Sequence, residues 1–244
     1  MLNLWNQAEL LCKRNILFYR IWFFLNKNKL DPNIKLPDKK DDLYLDGYPR
    51  SGNTYLKSVV SSVFENISFA HHLHTIAGMK LAKSRRVPCI IIFRKPIDAV
   101  TSLAFTKKNR SVSPLSTDVE ILLQQLLDEW LQYYQYVLNN HYNITLLNFE
   151  MIKTDEIKVL QIVANTIQLN KTIKEEHLRD IVLENKLRMK RKETMKEDAI
   201  SSLPNENRRN QKKKYKAILA GDPKLREAEQ LFEKLVQVTK GYSL

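Results

Sequence analysis

One stretch restricts the fold of this chain more than any other: Asp46-Gly47-Tyr48-Pro49-Arg50-Ser51-Gly52-Asn53-Thr54-Tyr55, which joins a short apolar run to a longer periodic one. Residues 43–48 have the length and composition of a strand, and residues 54–64 repeat apolar side chains at helical spacing. A strand that passes straight into a helix through glycines aims consecutive backbone N–H groups at the helix N-terminus, where the helix dipole also favours an anion. Small residues let the ligand approach the backbone. The loop therefore reads as a phosphate cradle inside a βα unit. Its spacing, Gly47-x4-Gly52-x-Thr54, nearly spells a nucleoside-triphosphate loop, but Asn53 stands where such a loop needs its lysine. Kinase and ATPase chemistry lose the cation that reaches the β and γ phosphates. The cation sits instead within the loop, as Arg50, where it can meet a single 5′ phosphate and the oxygen bridging it to a transferred group.

Downstream, the chain alternates short apolar runs with longer helical ones. The pattern predicts a strand at 67–70, a helix at 76–83, a buried strand at 89–93 rich in β-branched residues, and a helix opened by Pro96. A long helix over 117–139 follows, with Thr117 and Glu120 as a capping box, then a strand at 144–149 and helices at 155–167 and 173–187. Residues 189–216 are basic and polar with little apolar periodicity, and read as a loop or lid. A final helix starts with Asp222 as N-cap and Pro223 in its first turn and runs to about Val238. This order predicts an α/β fold, a central parallel sheet flanked by helices of the P-loop nucleotide-binding type. Residues 43–244 form the domain, and residues 1–42 a preceding amphipathic helix and linker.

Lys and Arg number 40 against 27 Asp and Glu, a formal charge of +13 that calls for an anionic partner. Charge alone does not make a nucleic-acid-binding protein, and no base-reading or RNA-stacking motif accompanies it. The cysteines Cys12 and Cys89 lie far apart without metal-ligand spacing, which fits a reducing cytoplasm. Residues 10–25 are rich in Leu, Ile, Phe, Tyr and Trp, but Lys13, Arg14 and Arg20 interrupt them, so they fall short of the roughly 20 apolar residues of a membrane span. They read as a basic, aromatic, amphipathic helix that packs on the domain or rests on a membrane surface.

A second constellation follows the strand at 89–93: Arg94-Lys95-Pro96-Ile97-Asp98-Ala99-Val100-Thr101-Ser102. Arg94 stands at a strand's carboxyl end, where open α/β sheets bind ligands, and Ser102 lies about two helical turns beyond it. A guanidinium and a hydroxyl presented together can clamp a phosphate.

These two motifs resemble those of the sulfotransferases that use 3′-phosphoadenosine 5′-phosphosulfate (PAPS). Residues 48–56 look like that family's 5′-phosphosulfate loop and residues 94–102 like its 3′-phosphate motif, in the same order, while Leu147-Asn148-Phe149-Glu150 is similar to its strand-end element. The resemblance implies a transfer of the sulfuryl group of PAPS to a hydroxyl or amine, without a metal, leaving 3′,5′-adenosine bisphosphate (PAP). It implies that Arg50 holds the 5′ phosphate and the departing bridge oxygen, with Ser51, Gly52, Asn53 and Thr54 as the cradle. It also implies that Arg94 and Ser102 hold the 3′ phosphate, that Tyr55 stacks on adenine, and that Phe149 flanks the same ring. Arg208 lies in the region of the segment that covers the nucleotide late in the family's chains. A histidine after the second strand serves as base in the family, and His72 in Ala70-His71-His72-Leu73-His74 matches it best by neighbour and by distance to Arg94, with His74 and His71 as the other candidates. The lysine and proline that usually surround that histidine are Ala70 and His74 here. No Asp, Glu or Cys nearby completes a metal site from the histidines. Two other readings stand beside the enzyme: a non-catalytic member that binds PAPS or PAP, and a basic nucleic-acid-binding protein. The acceptor is expected to be a small molecule, a carbohydrate or a lipid head group, met by the segments 106–116 and 189–216, with no specific nucleic acid and with peripheral membrane contact through residues 1–25.

Overall fold

In the computed structural model, residues 13–27, 34–64, 66–110, 118–168, 179–184, 187 and 206–240 are described. Among the described residues four parallel strands make the sheet: β1 (Leu43–Gly47), β2 (Phe69–His71), β3 (Cys89–Phe93) and β4 (Thr145–Asn148), in the order β2-β1-β3-β4. The expected architecture, a parallel sheet between helices, is the one observed.

Both faces of the sheet are covered, and the alternation of side chains along each strand assigns nine helices among the described residues to one face or the other. Tyr44, Ile91, Phe93 and Leu146 point into one apolar layer and Leu43, Leu45, Ile90, Ile92 and Leu147 into the other. The first layer is closed by α1 (Ile16–Asn26), α3 (Ile76–Ser84), α4 (Pro96–Arg110), α5 (Val119–Asn139), α8 (Glu206–Leu219) and α9 (Pro223–Lys240). The second is closed by α2 (Asn53–Val63), α6 (Phe149–Thr154) and α7 (Glu156–Thr166).

This arrangement positions the site. The chain leaves β1 for β2 on one side, returns past β1 to β3 on the other, and sends α2 and α4 to opposite faces. A crevice therefore opens at the carboxyl ends of β1 and β3, the switch point at which sheets of this kind bind ligands. Gly47 keeps the two strands close there. It pairs with Ile92, and a Cβ on it would come within 2.2 Å of the Ile92 carbonyl oxygen.

Several expectations are corrected. The basic stretch assigned to a loop is helical from Glu206 onward, because Tyr215 and Leu219 supply the buried contacts that its lysines hide in the sequence. Residues 189–205 lie outside the described residues. The strand expected to reach Phe149 stops at Asn148, whose side chain caps α6 by accepting from the Glu150 N–H at 3.0 Å. Asp118, not Thr117, is the N-cap of α5, accepting from the Glu120 N–H at 3.0 Å, and Thr117 lies outside the described residues. Of the helix expected over 173–187, residues 179–184 are helical and most of the rest lies outside the described residues. The helix expected over 10–25 is broken at Asn15, whose extended backbone and side-chain oxygen cap α1 afresh. Tyr19 and Phe23, one turn apart on α1, sink into the same apolar layer as Tyr44 and Met79. Asp222 does open α9, its carboxylate accepting from the Lys224 N–H at 2.8 Å.

Candidate active site

The β1 loop is built from left-handed residues and anchored from behind. Arg50 has φ of 70° and Gly52 of 102°, so the chain curls before α2 begins, the kind of turn in which successive amides can form an anion nest. Gly52 is required twice over. Its backbone disfavours any Cβ, and a Cβ there would lie 2.6 Å from the Phe149 ring. Behind the loop, the Tyr134 hydroxyl of α5 accepts from the Tyr48 N–H at 3.1 Å, donates to the Ile92 carbonyl at 2.7 Å and meets Ser51 Oγ at 3.3 Å. Asn53 is buried and donates to the carbonyls of Gly47 (3.2 Å) and Tyr48 (3.3 Å), so the residue that replaces the usual lysine is a brace for the loop.

Residues from separate parts of the sequence converge on this loop. Arg50 Nε donates to Ser102 Oγ on α4 at 3.2 Å, and Arg94 Nη1 donates to the Arg50 carbonyl at 3.0 Å. The Arg94 guanidinium carbon also stands 4.4 Å from the centre of the Phe149 ring. Burial lowers the Arg94 pKa against the opposing pull of Asp98 and Glu150, and its Nε is buried without a hydrogen-bond partner among the described residues. A buried guanidinium donor left open beside a nest of amides fits a phosphate oxygen. Thr54 is exposed on the first turn of α2. Tyr55 is half-buried against the second apolar layer and its hydroxyl donates to Glu156 of α7, which holds the ring in place. Arg208 falls on α8, with its side chain outside the described residues. Lys216, on the same helix, reaches Asp98 of α4 at 2.6 Å and tethers α8 beside the Arg94 strand end. Burial would raise the Asp98 pKa, but Lys216 and Arg94 hold it below the usual carboxylate value.

The histidines divide into different environments. His71 ends β2 and is buried; its ring meets that of His72 edge-on at 4.6 Å. His72 takes a left-handed backbone and remains partly exposed. His74 is gripped by Asp46, a fully buried carboxylate at the end of β1. The His74 N–H donates to Asp46 Oδ2 at 2.7 Å, and its Nδ1 lies 2.9 Å from Asp46 Oδ1 and 2.6 Å from the Gly47 carbonyl. With acceptors on both sides, Nδ1 carries the proton, so in the neutral ring Nε2 keeps the lone pair. Burial would lower the His74 pKa, but the Asp46 charge and hydrogen bond leave it raised; burial would raise that of Asp46, but His74 and the Tyr44 hydroxyl, donating at 2.6 Å, leave it lowered.

His74 lines a cavity of about 240 Å³ together with Tyr48 and Pro49 of the loop, Leu73, Leu103, Tyr133, and the polar rim Lys13, Arg14, Lys107, Glu129 and Gln132. The cavity wall adjoins the β1 loop, and the His74 side chain is 25% exposed. Sequence reasoning passed over Asp46 and Tyr134. The first had a signal, a lone carboxylate in the apolar run Leu43-Tyr44-Leu45-Asp46. Tyr134 had none, since it is one aromatic among many on α5.

The crevice, the loop and the parallel sheet define a sulfotransferase-like α/β fold. Among solved structures the chain is similar to mouse sulfotransferase SULT7A1, crystallised with PAP, at a TM-score of 0.55 and 17% identity over 85% of this chain and 90% of that one. No family model matches the chain, and no curated protein matches it either.

Proposed function

We propose that the protein is a sulfotransferase that moves the sulfuryl group of PAPS to a hydroxyl or amine. One observation carries this reading: Arg50, Arg94, Ser102 and Phe149, drawn from a loop, a strand end and two helices, converge around Gly52 at the sheet's switch point. The similarity to a sulfotransferase crystallised with PAP supports it.

When bound, PAPS supplies the sulfuryl group and the phosphate that leaves with the electron pair of the broken bond. The loop amides from Ser51 to Thr54 and the Arg50 guanidinium would hold the 5′ side, and Arg50 would offset the charge that grows on the leaving oxygen. Arg94 and Ser102 would hold the 3′ phosphate, with Phe149 under the guanidinium and beside the base, Tyr55 near the adenine, and Arg208 on the covering helix. The role of base moves from His72, which the resemblance favours, to His74. Asp46 and the Gly47 carbonyl fix its tautomer, and it lines the cavity beside the loop where an acceptor can stand. His74 would take the acceptor's proton at Nε2 as the acceptor attacks in line with the leaving oxygen.

The cavity's wall of Tyr48, Leu73, Leu103 and Tyr133 under a cationic rim suits a small molecule or a head group with an apolar portion. Incubating the protein with radiolabelled PAPS and an extract of its own cells tests the proposal. Transfer of label to an extractable acceptor, sharply reduced by Arg94→Ala at limiting PAPS, supports it; tight PAP binding with no labelled product would leave a nucleotide-binding protein instead.

A further inference from the structure

Helix α1 buries two of its side chains and leaves the rest of its apolar surface outside. Tyr19 and Phe23 enter the core, whereas Leu17 (62% exposed), Phe18 (53%), Ile21 (50%), Trp22 (40%), Phe24 (78%) and Leu25 (73%) face outward. Single exposed apolar residues are ordinary, but a continuous run of them on one short helix marks a surface that meets something. At 100° per residue the outward side chains cover an arc of roughly 160°, broader than the a/d seam with which a helix enters a protein groove.

Charge identifies the occupant. Between Leu10 and Leu30 the chain carries Lys13, Arg14, Arg20, Lys27 and Lys29 and no acidic residue, within a protein of net charge +13. Arg20 and Lys27 are exposed and about two turns apart, along the edge where the apolar arc meets the buried face. Cations at the edge of an apolar arc can extend their stems and reach headgroups while the arc sinks among acyl chains, with Trp22 at the boundary. A protein interface core is depleted in charge, and no helix among the described residues is long and apolar enough to cross a membrane.

We infer that α1 is an interfacial helix that seats the protein on an anionic lipid bilayer. Lys13 and Arg14, which precede it, line the rim of the His74 cavity, so the helix holds that rim next to the membrane surface. The inference does not depend on sulfuryl transfer.

The test is flotation of the full chain with vesicles of phosphatidylcholine alone and of phosphatidylcholine with phosphatidylserine. Binding to the serine-lipid vesicles is expected, at least about 10-fold tighter than to the neutral ones and weakened by salt. Arg20→Gln with Lys27→Gln should weaken it by about 30-fold, two surface cations being removed. Phe18→Ser with Phe24→Ser should abolish it while leaving the melting temperature and PAP binding unchanged, since both side chains point outward. A wild type that does not float with anionic vesicles, floats equally with neutral ones, or is unaffected by the serine pair overturns the inference. So does a concentration-dependent dimer dissolved by the serine pair in the absence of vesicle binding, which would make a second copy the occupant.

Discussion

Truncating Arg94 tests the phosphate assignments most directly, because this side chain would tell PAP from AMP. Its guanidinium is largely buried, held at 3.0 Å to the Arg50 carbonyl and 4.4 Å from the Phe149 ring, with Nε open. In Arg94→Ala the protein loses one hydrogen bond from a charged donor, worth about 1.5–3 kcal/mol, and the contact with the Phe149 ring, but sheds the cost of keeping a cation out of water, so the two sides partly offset and stability should change little. The nucleotide loses more. Removing one partner of a buried charge-assisted pair costs about 2–5 kcal/mol, and 2 kcal/mol is roughly 30-fold in affinity. Calorimetry with PAP and with AMP should show PAP weakened by about 30-fold or more, and AMP affected less than about threefold through the altered Arg50 loop. Ser102→Ala should move PAP in the same direction by a smaller step, about 1 kcal/mol for one hydrogen bond. A wild type that binds AMP as tightly as PAP, or a variant that loses both equally, would refute a 3′-phosphate site at this strand end.

Arg50→Ala should depress the chemical step more than PAP binding, since the charge it meets appears mainly in the transition state; equal losses in single-turnover rate and affinity would remove it from that role. His74→Ala should reduce turnover by roughly 100-fold or more with PAP affinity retained, and His72→Ala much less; the reverse order would return the base to His72. Because His74 is raised above 6.5 by Asp46, turnover should rise with pH through a limb above 6.5, and Asp46→Asn should move that limb downward. The groups around the pair include Tyr44, Lys13, Tyr19, Cys89, Tyr133, Tyr134 and the Gly47 carbonyl. The same pair contributes stability between the lowered Asp46 value and the raised His74 value, so the melting temperature lost in Asp46→Asn should be larger at pH 6 than at high pH, where His74 is neutral in both proteins. Gly52→Ala should abolish PAP binding, because its Cβ would press on the Phe149 ring at 2.6 Å from a backbone at φ of 102°; unaltered PAP affinity in a folded variant would contradict the cradle geometry.

Local chemistry made the parallel α/β fold and the glycine-bearing turn between β1 and α2 legible in the linear chain. A buried parallel strand such as Cys89–Phe93 must be apolar on both faces, and a strand that enters a helix through Gly47 and Gly52 has few other uses, so both leave marks within about ten residues. Capping left marks too, as at Asp222, and misled by one residue at Thr117, where a neighbouring Asp118 offered the same oxygen. Helix α8 was hidden because its lysines dominate the stretch, and its few apolar contacts with α4 and α5 have meaning only once those helices are in place. The pairing that sets His74 apart was hidden for the same reason. His71, His72 and His74 are nearly equivalent as letters, and what separates them is the carboxylate of Asp46, 28 residues away in the chain and 2.7 Å from the His74 amide in the fold. Asp46 is expensive to bury alone and acceptable only with the His74 amide, its ring and the Tyr44 hydroxyl around it. Strand and loop identity come from interactions between near neighbours and can be read in sequence. The pairing of a buried charge depends on which strand lies beside which, and only the order β2-β1-β3-β4 decided that.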